Sequence, residues 1–121
     1  VRFGLTNPLG LAPVLAPAAL LTLMEQAAAV KVSEAVARYC YEVVAATRQH
    51  EAVALGLSPR AALAWLRAAR ARALLKDGAD VLPVDLKAMA AAARPLRLVL
   101  QGGGDAGELV LGVLASVPVE L

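Results

Sequence analysis

One stretch decides the fold of this chain: Leu55-Gly56-Leu57-Ser58-Pro59-Arg60-Ala61-Ala62-Leu63-Ala64-Trp65-Leu66-Arg67-Ala68-Ala69-Arg70. Its first residues carry the signals of a helix start. Ser58 is a good N-cap, because its hydroxyl can accept a hydrogen bond from a backbone N–H that the first helical turn leaves without a partner. Pro59 follows at the first helical position, where its missing N–H costs nothing. The sequence therefore predicts a helix that begins at Pro59 and ends near Lys76.

Arg60 is the unexpected residue of this helix start. A cation in the first turn opposes the helix macrodipole, at a cost of roughly 0.3–1 kcal/mol. The N-terminus of a helix also attracts anions through its unpaired N–H groups. An arginine in this position therefore indicates a site that meets an anion, such as a phosphate.

Residues 55–61 resemble the Gly-Ala-Ser-Pro-Arg motif of the MoxR-type AAA+ ATPases, which opens a helix in their C-terminal lid domain. Three further stretches match that family in order and in spacing. They are Val-Lys-Val-Ser-Glu-Ala-Val at 30–36, Ala-Ala-Thr-Arg-Gln-His at 45–50 and Val-Leu-Pro-Val-Asp-Leu-Lys at 81–87. The resemblance covers roughly residues 13–100, and an ordered set of motifs is more specific than any one of them.

The resemblance implies a nucleotide-binding role for the helix start. In the family, the arginine that matches Arg60 is the sensor-2 residue, which reaches the γ-phosphate of ATP. Ser58 and Pro59 are expected beside the same nucleotide. ATP and Mg²⁺ would be bound mainly by a core domain, so the lid alone is expected to hold no cofactor.

The ATPase machinery itself is absent from the sequence. No Gly-x-x-x-x-Gly-Lys-Ser/Thr loop is present, and no strand pattern ends in paired acids that would hold magnesium. The resemblance therefore predicts a lid separated from its core, with no enzymatic activity of its own, whereas the parent protein would be an ATPase.

The family also suggests partners for the parent protein. Its members act as chaperone-like assembly factors that often activate partner complexes or insert metal into them, alongside proteins with von Willebrand factor A domains. Within such a machine the lid would close over ATP and contact the core of its own chain and of neighbouring subunits. The expected location is the cytoplasm, whose reducing conditions suit a chain with one cysteine.

Composition favours a small helical bundle. The 121 residues allow one domain, and 60% are hydrophobic, many of them alanine, while only 3% are aromatic. Such a composition is typical of closely packed helices. We predict a mainly all-α fold of four or five helices with one or two very short strands. We assign residues 1–13 to a linker from the missing core, 14–100 to the lid, and 101–121 to a Gly-rich link and a C-terminal helix.

Several other functions are disfavoured by composition. Mean hydropathy is +0.65, but the most apolar stretch, 9–24, is interrupted by two prolines and is shorter than the roughly 20 residues of a spanning helix. We therefore predict that it is core and that no segment crosses a membrane. Net charge is only +2, with basic and acidic residues intermixed, so no nucleic-acid partner is expected. One histidine, His50, and one cysteine, Cys40, cannot form a zinc site.

Periodicity assigns a core side to each of the first two helices. The first helix should start at Pro17 and bury one side, and the second should follow an N-cap at Ser33. The predicted buried side of the first helix consists of Leu20, Leu21, Met24, Ala27 and Ala28. The predicted stripe of the second consists of Val36, Tyr39, Cys40, Val43, Val44 and Thr47. Cys40 is thus expected to be a small buried side chain and His50 a solvated cap at the helix end.

In the third helix, the leucines define the predicted core side: Leu63, Leu66 and Leu74. Three residues are predicted on the roughly opposite side: Trp65, Arg72 and Lys76. Arg67 and Arg72 are expected in solvent. Arg70 points toward the leucine side, so we predict either an acidic partner or a place on the surface that meets the core domain.

The remaining segments are predicted from local signals. Short strands are expected near 30–32, 81–82 and 96–100, and residues 51–57 are expected to form a loop. Pro83 should open a fourth helix that ends near Ala93, although Leu82 stands where the family has an N-capping threonine. Residues 101–104 form a flexible Gly-rich link, and residues 108–116 a final helix that either packs on the bundle or mediates association.

Two other functions compete with the lid interpretation. The first is a stand-alone helical module that binds a protein and never binds nucleotide. The second is a DNA-binding helix-turn-helix, in which Arg60, Arg67 and Arg70 would contact phosphates. The scarcity of Asn and Gln on that helix makes base recognition less favourable.

Overall fold

The computed structural model describes residues 9–92 and 98–119. In that part of the chain five helices and two short strands follow one another, which confirms the mainly α-helical prediction. In order they are α1 (Pro17–Ala29), α2 (Glu34–Gln49), β1 (Val53–Leu55), α3 (Pro59–Leu75), α4 (Pro83–Ala92), β2 (Val99–Leu100) and α5 (Ala106–Ser116).

Helix α2 provides the centre of the core, and all six residues of its predicted stripe are buried. Ser33 caps the helix as predicted, because its Oγ accepts a hydrogen bond from the Val36 N–H at 3.2 Å. Burial raises the pKa of the Cys40 thiol to about 11, as suits a structural side chain. The Tyr39 hydroxyl donates to the Leu114 carbonyl at 3.0 Å. That bond joins α5 to the bundle, so the last helix packs against its own chain.

The core side of α3 differs from the prediction. Trp65, predicted on the side opposite the leucines, is 1% exposed, and its Nε1 donates to the Leu86 carbonyl at 2.8 Å. Leu63, expected inside, is 57% exposed. The buried row is Trp65, Ala69 and Ala73, three residues spaced by one helical turn. Leu66 and Leu74 are half-buried against the core as predicted, so the leucine-based assignment was wrong for Leu63 only. The most deeply buried side lies at the tryptophan and the alanines, because small alanine side chains let helices approach closely and the indole then fills the remaining space.

An ion pair corrects the prediction for Arg72, which was expected in solvent. Its Nε lies 3.4 Å from Oδ1 of Asp85, whose side chain is 4% exposed. The other oxygen, Oδ2, accepts a hydrogen bond from the Leu82 N–H at 3.0 Å. Asp85 thus reaches back to the start of α4 and satisfies an N–H there, although Leu82 itself provides no capping oxygen.

Arg70 lies half-buried on α3. Its Nε is buried and has no hydrogen-bond partner among the described residues. No acidic partner for Arg70 is found in that part of the chain. Its predicted place on a surface that meets the core domain stays a prediction.

The two strands form a small antiparallel sheet, in which Val53 pairs with Leu100 and Leu55 with Val99. The prediction that 51–57 is entirely loop was therefore wrong. For the predicted strand at 96–100, the structure shows β2, while residues 96 and 97 lie outside the described residues. At 30–32 and 81–82 only an isolated parallel bridge between Lys31 and Asp80 forms.

Helix α1 overturns the prediction of a buried side. None of its residues is buried, and three that were expected in the core are at least half exposed: Leu20 at 50%, Leu21 at 61% and Met24 at 59%. The helix packs on α3. None of the helices within 9–92 and 98–119 is long and apolar enough to cross a membrane.

Asp85 is expected to be a major determinant of stability. Asp85→Ala removes the acceptor for the Leu82 N–H and leaves Arg72 without its partner, so the unfolding free energy should fall by about 2–4 kcal/mol. Asp85→Asn keeps an acceptor oxygen and should cost about half as much. Urea unfolding followed by the fluorescence of Trp65, the single tryptophan, measures both. Glu51→Ala, at an exposed turn, is the control, and equal losses in Glu51→Ala and Asp85→Ala would contradict the assignment.

Candidate functional site at the start of helix α3

The helix start predicted from sequence is present in the structure. Ser58 has extended backbone angles, and its Oγ accepts a hydrogen bond from the Ala61 N–H at 3.1 Å. Pro59 is the first helical residue, as predicted. Both residues thereby have a structural role, because they determine where the helix begins and satisfy one of its unpaired N–H groups.

Arg60 is exposed in the first turn of α3. No hydrogen bond or ion pair of its guanidinium is found among residues 9–92 and 98–119, and no acidic residue lies in that turn. Its charge therefore lies beside the positive end of the helix dipole without compensation from the described chain. This arrangement suits an anion that approaches from outside.

The loop that precedes this helix is held against α2 through the backbone of one residue, Leu57. Leu57 is fully buried, and its N–H donates to Oγ1 of Thr47 at 3.2 Å. Its carbonyl accepts a hydrogen bond from Nε of Arg48 at 3.0 Å. The Thr47 hydroxyl in turn donates to the Val44 carbonyl at 2.7 Å. Neighbouring residues at the end of α2 thus hold Leu57 through both of its backbone polar groups.

Gly56 lets the loop lie against α2. A Cβ at this position would lie 2.8 Å from Cα and 2.9 Å from N of Arg48, closer than side-chain carbons approach backbone atoms. Glycine is therefore required here by the close approach of two backbones. The motifs at 45–50 and 55–61, separate in the sequence, form one interlocked unit that positions Arg60.

Sequence reasoning missed this unit. It treated Thr47 only as a member of the buried stripe of α2. A fully buried hydroxyl needs a hydrogen-bond partner, and that requirement was a signal that another segment of the chain meets it. The role of Arg48 had no such signal, because an exposed arginine at a helix end is ordinarily solvated.

His50 and Cys40, the other titratable candidates, are not arranged as metal ligands or catalytic groups within the described residues. His50 is exposed, and its Nδ1 accepts a hydrogen bond from the Ala52 N–H at 3.1 Å. Cys40 is buried within the core. In the part of the chain that the structure describes, no three His, Cys, Asp or Glu side chains lie together as metal ligands would.

Comparison with known proteins shows which family this chain belongs to. The family described as "AAA lid domain" matches residues 45–109, more than half of the chain. The chain belongs to the AAA lid domain family. The matched range includes both interlocked motifs and Arg60.

Two similar proteins extend the match beyond that range. The AAA lid domain is 33% identical to "Uncharacterized protein YeaC" of Bacillus subtilis (strain 168) over 114 residues, which cover 90% of this chain and 36% of that protein. The crystal structure of a "putative ATPase" from Cytophaga hutchinsonii ATCC 33406 has a similar fold, with a TM-score of 0.72 and 25% identity. That match covers 80% of this chain and 34% of the other. This chain thus spans about a third of the length of either relative.

Gly56→Ala should destabilise the lid through the contact with Arg48. Because the added methyl group meets backbone atoms, the loop must move away from α2, and the unfolding free energy should fall by about 1–3 kcal/mol. The same substitution at Gly112, in α5, meets nothing within 4 Å. Gly112→Ala should therefore be neutral or stabilising by up to about 1 kcal/mol. Thermal melts of both variants give the comparison, and a loss of equal size at the two sites would rule out the proposed interlock.

Proposed function

We propose that this lid works in a MoxR-type AAA+ ATPase and that Arg60 is its sensor-2 residue, which contacts the γ-phosphate of ATP. The observation that carries the proposal is an exposed arginine without a partner in the described chain, at the N-terminus of a helix whose entry loop is fixed by Thr47 and Arg48. The motif resemblance and the membership of the AAA lid family support it.

The proposed role follows from preorganisation. Phosphoryl transfer spreads negative charge over the γ-phosphate oxygens, and a cation held in place before the reaction stabilises that charge without further rearrangement. In this lid the backbone of Leu57 is bonded on both sides, so the start of α3 moves with α2 as one body. Arg60 would reach the nucleotide when the lid closes, and would leave when it opens.

ATP and Mg²⁺ would be held mainly by the AAA+ core, which supplies the phosphate loop and the acids that this chain lacks. Ser58 and Pro59 fit the proposal by positioning α3, since the Ser58 hydroxyl is used for capping. None of the side chains placed at the start of α3 would activate water. The residues described here bind and orient, and the chemistry belongs to the core.

For the parent protein, the motif resemblance supports a chaperone-like activity in the assembly of partner complexes or in metal insertion, together with a von Willebrand factor A domain protein. The same resemblance supports contacts with neighbouring subunits and a cytoplasmic location. A stand-alone interaction module is less well supported, because the matched family is defined by its place beside an AAA+ core.

Arg60→Ala, made in the polypeptide that joins this lid to its core, should lower the turnover of ATP by about 10²–10³-fold, as loss of one preorganised donor commonly does. The lid should melt at the same temperature or slightly higher, because the change removes a cation from the positive end of a helix. Arg60→Lys should restore activity only in part, since an ammonium cannot reproduce the planar guanidinium. Steady-state phosphate release and thermal melts provide the measurements.

Arg67→Ala is the matched control, because Arg67 is also exposed and lies on the same helix. It should leave turnover within about twofold. Unchanged turnover in Arg60→Ala, or equal losses in the two variants, would show that Arg60 is not a nucleotide sensor. A large loss of lid stability in Arg60→Ala would instead make this arginine structural.

A further inference from the structure

Among residues 9–92 and 98–119, no element covers an apolar surface that lies on α1 and just before it. Its side chains are between 47% and 96% exposed. We call it the α1 surface and define it by Val14, Leu15, Leu20, Leu21 and Met24. Where exposed apolar side chains form one patch, they mark places where another surface binds.

The distribution of residues around α1 shows that two of its sides are apolar. Leu23 and Ala27, its two half-buried positions, mark the side that packs on α3. At about 100° per residue, Leu20, Leu21 and Met24 lie next to that side, within about 100° of arc, while Val14 and Leu15 precede the helix. The polar residues occupy the remaining side: Thr22, Glu25 and Gln26. A helix that is apolar on two sides requires two packing partners, and α3 supplies only one.

The lack of charge on the α1 surface indicates which kind of partner covers it. No ionisable residue occurs between positions 9 and 24. Helices that lie on a lipid surface carry Lys and Arg on their polar side, whereas the polar side of α1 carries Glu25 and two neutral residues. The α1 surface therefore fits an apolar protein surface better than anionic lipid.

The comparisons indicate where such a protein surface comes from. The family match begins at residue 45, so α1 lies outside the part of the chain that it defines. The similarity to YeaC leaves out only about a tenth of this chain, fewer residues than precede α1, so it includes all of α1. That protein contains about two thirds of its length beyond the matched part. A helix shared with a longer relative, and apolar on an uncovered side, fits a contact between domains.

We propose that the α1 surface is the face on which the AAA+ core domain of the same polypeptide packs. The proposal rests on the proposed function only in requiring that core, and it is independent of the role of Arg60. Since the contact is apolar and lacks charge, it persists at high salt and in the absence of nucleotide. It keeps the lid attached to the core while the lid opens and closes, in contrast to the nucleotide-dependent contact proposed for Arg60.

Thiol labelling of the full polypeptide, core and lid together, tests whether the α1 surface is covered. Leu21→Cys is compared with Leu111→Cys, because the two leucines are 61% and 47% exposed in the lid and both lie on helices. With iodoacetamide and peptide mass spectrometry, without nucleotide, Leu21→Cys should react at least about tenfold more slowly than Leu111→Cys. Equal rates would show that the surface is uncovered in the whole protein and would overturn the proposal.

A second measurement identifies the covering surface. Benzophenone maleimide is attached after brief denaturation and refolding to Leu21→Cys in a Cys40→Ala background, because denaturation would otherwise expose the buried Cys40 thiol to the reagent. On illumination it should crosslink to a peptide of the core in the same chain. A crosslink to α1 of another copy would replace the core with a second lid. Equal labelling rates in buffer but slow labelling of Leu21→Cys with anionic phospholipid vesicles would favour a membrane. Either result would overturn the proposal.

A charge-introducing variant checks the energetic consequence. Leu21→Glu with Met24→Glu keeps good helix formers in α1 but buries two carboxylates if the core packs there. Calorimetry of the full polypeptide should then resolve separate unfolding transitions for core and lid, whereas Leu111→Glu should retain the wild-type profile. Identical profiles in both variants would contradict the contact. The thiol of Leu21→Cys should react at the same slow rate when Arg60→Ala is also present. The contact at α1 can therefore be tested separately from the nucleotide sensor.

Discussion

The peptide segment at Leu57 is the constraint on which the functional end of this lid depends. Its N–H and its carbonyl are bonded to adjacent residues of α2, and the glycine before it removes the side chain that would hold the two backbones apart. A buried loop must satisfy its backbone polar groups. Here the two hydrogen bonds also determine where α3 begins, because they hold Leu57, just before the helix, against the end of α2. The position of Arg60 is therefore decided by α2, a helix that does not contain it.

Close packing of α3 depends on alanine. Its buried row combines one tryptophan with two alanines, so the backbone of α3 approaches its neighbours while the indole occupies the space that remains. The indole N–H bonds to α4 at the Leu86 carbonyl, and Arg72 pairs with Asp85 on the same helix. The two contacts join α3 and α4 through one hydrogen bond and one ion pair, and α3 carries Arg60 at its start.

The lid presents two surfaces with different chemistry. At the start of α3, one uncompensated cation lies at a helix N-terminus, where binding of an anion depends on ionic strength. On α1, a surface without charge is left uncovered, where association depends on burial of apolar area. The proposed division of roles follows from this contrast: an apolar contact that keeps lid and core together through all nucleotide states, and a charged contact made only when the γ-phosphate is present.

The sequence alone determined the starts of the first four helices and the stripe of α2, whereas α5 begins at Ala106 and not at the predicted residue 108. Caps and prolines act within one turn, so Ser33, Ser58 and Pro59 could be assigned without knowledge of the rest of the chain. A stripe of large side chains in one helix likewise leaves little choice of buried side. Only the tertiary structure decided which side of α3 is buried, because an alanine-rich helix offers several sides of similar hydropathy and the neighbour that approaches most closely selects one. It also decided the exposure of α1 and the hydrogen bonds to Leu57. Both depend on contacts between segments that are distant in the sequence, and no local sequence pattern predicts such contacts.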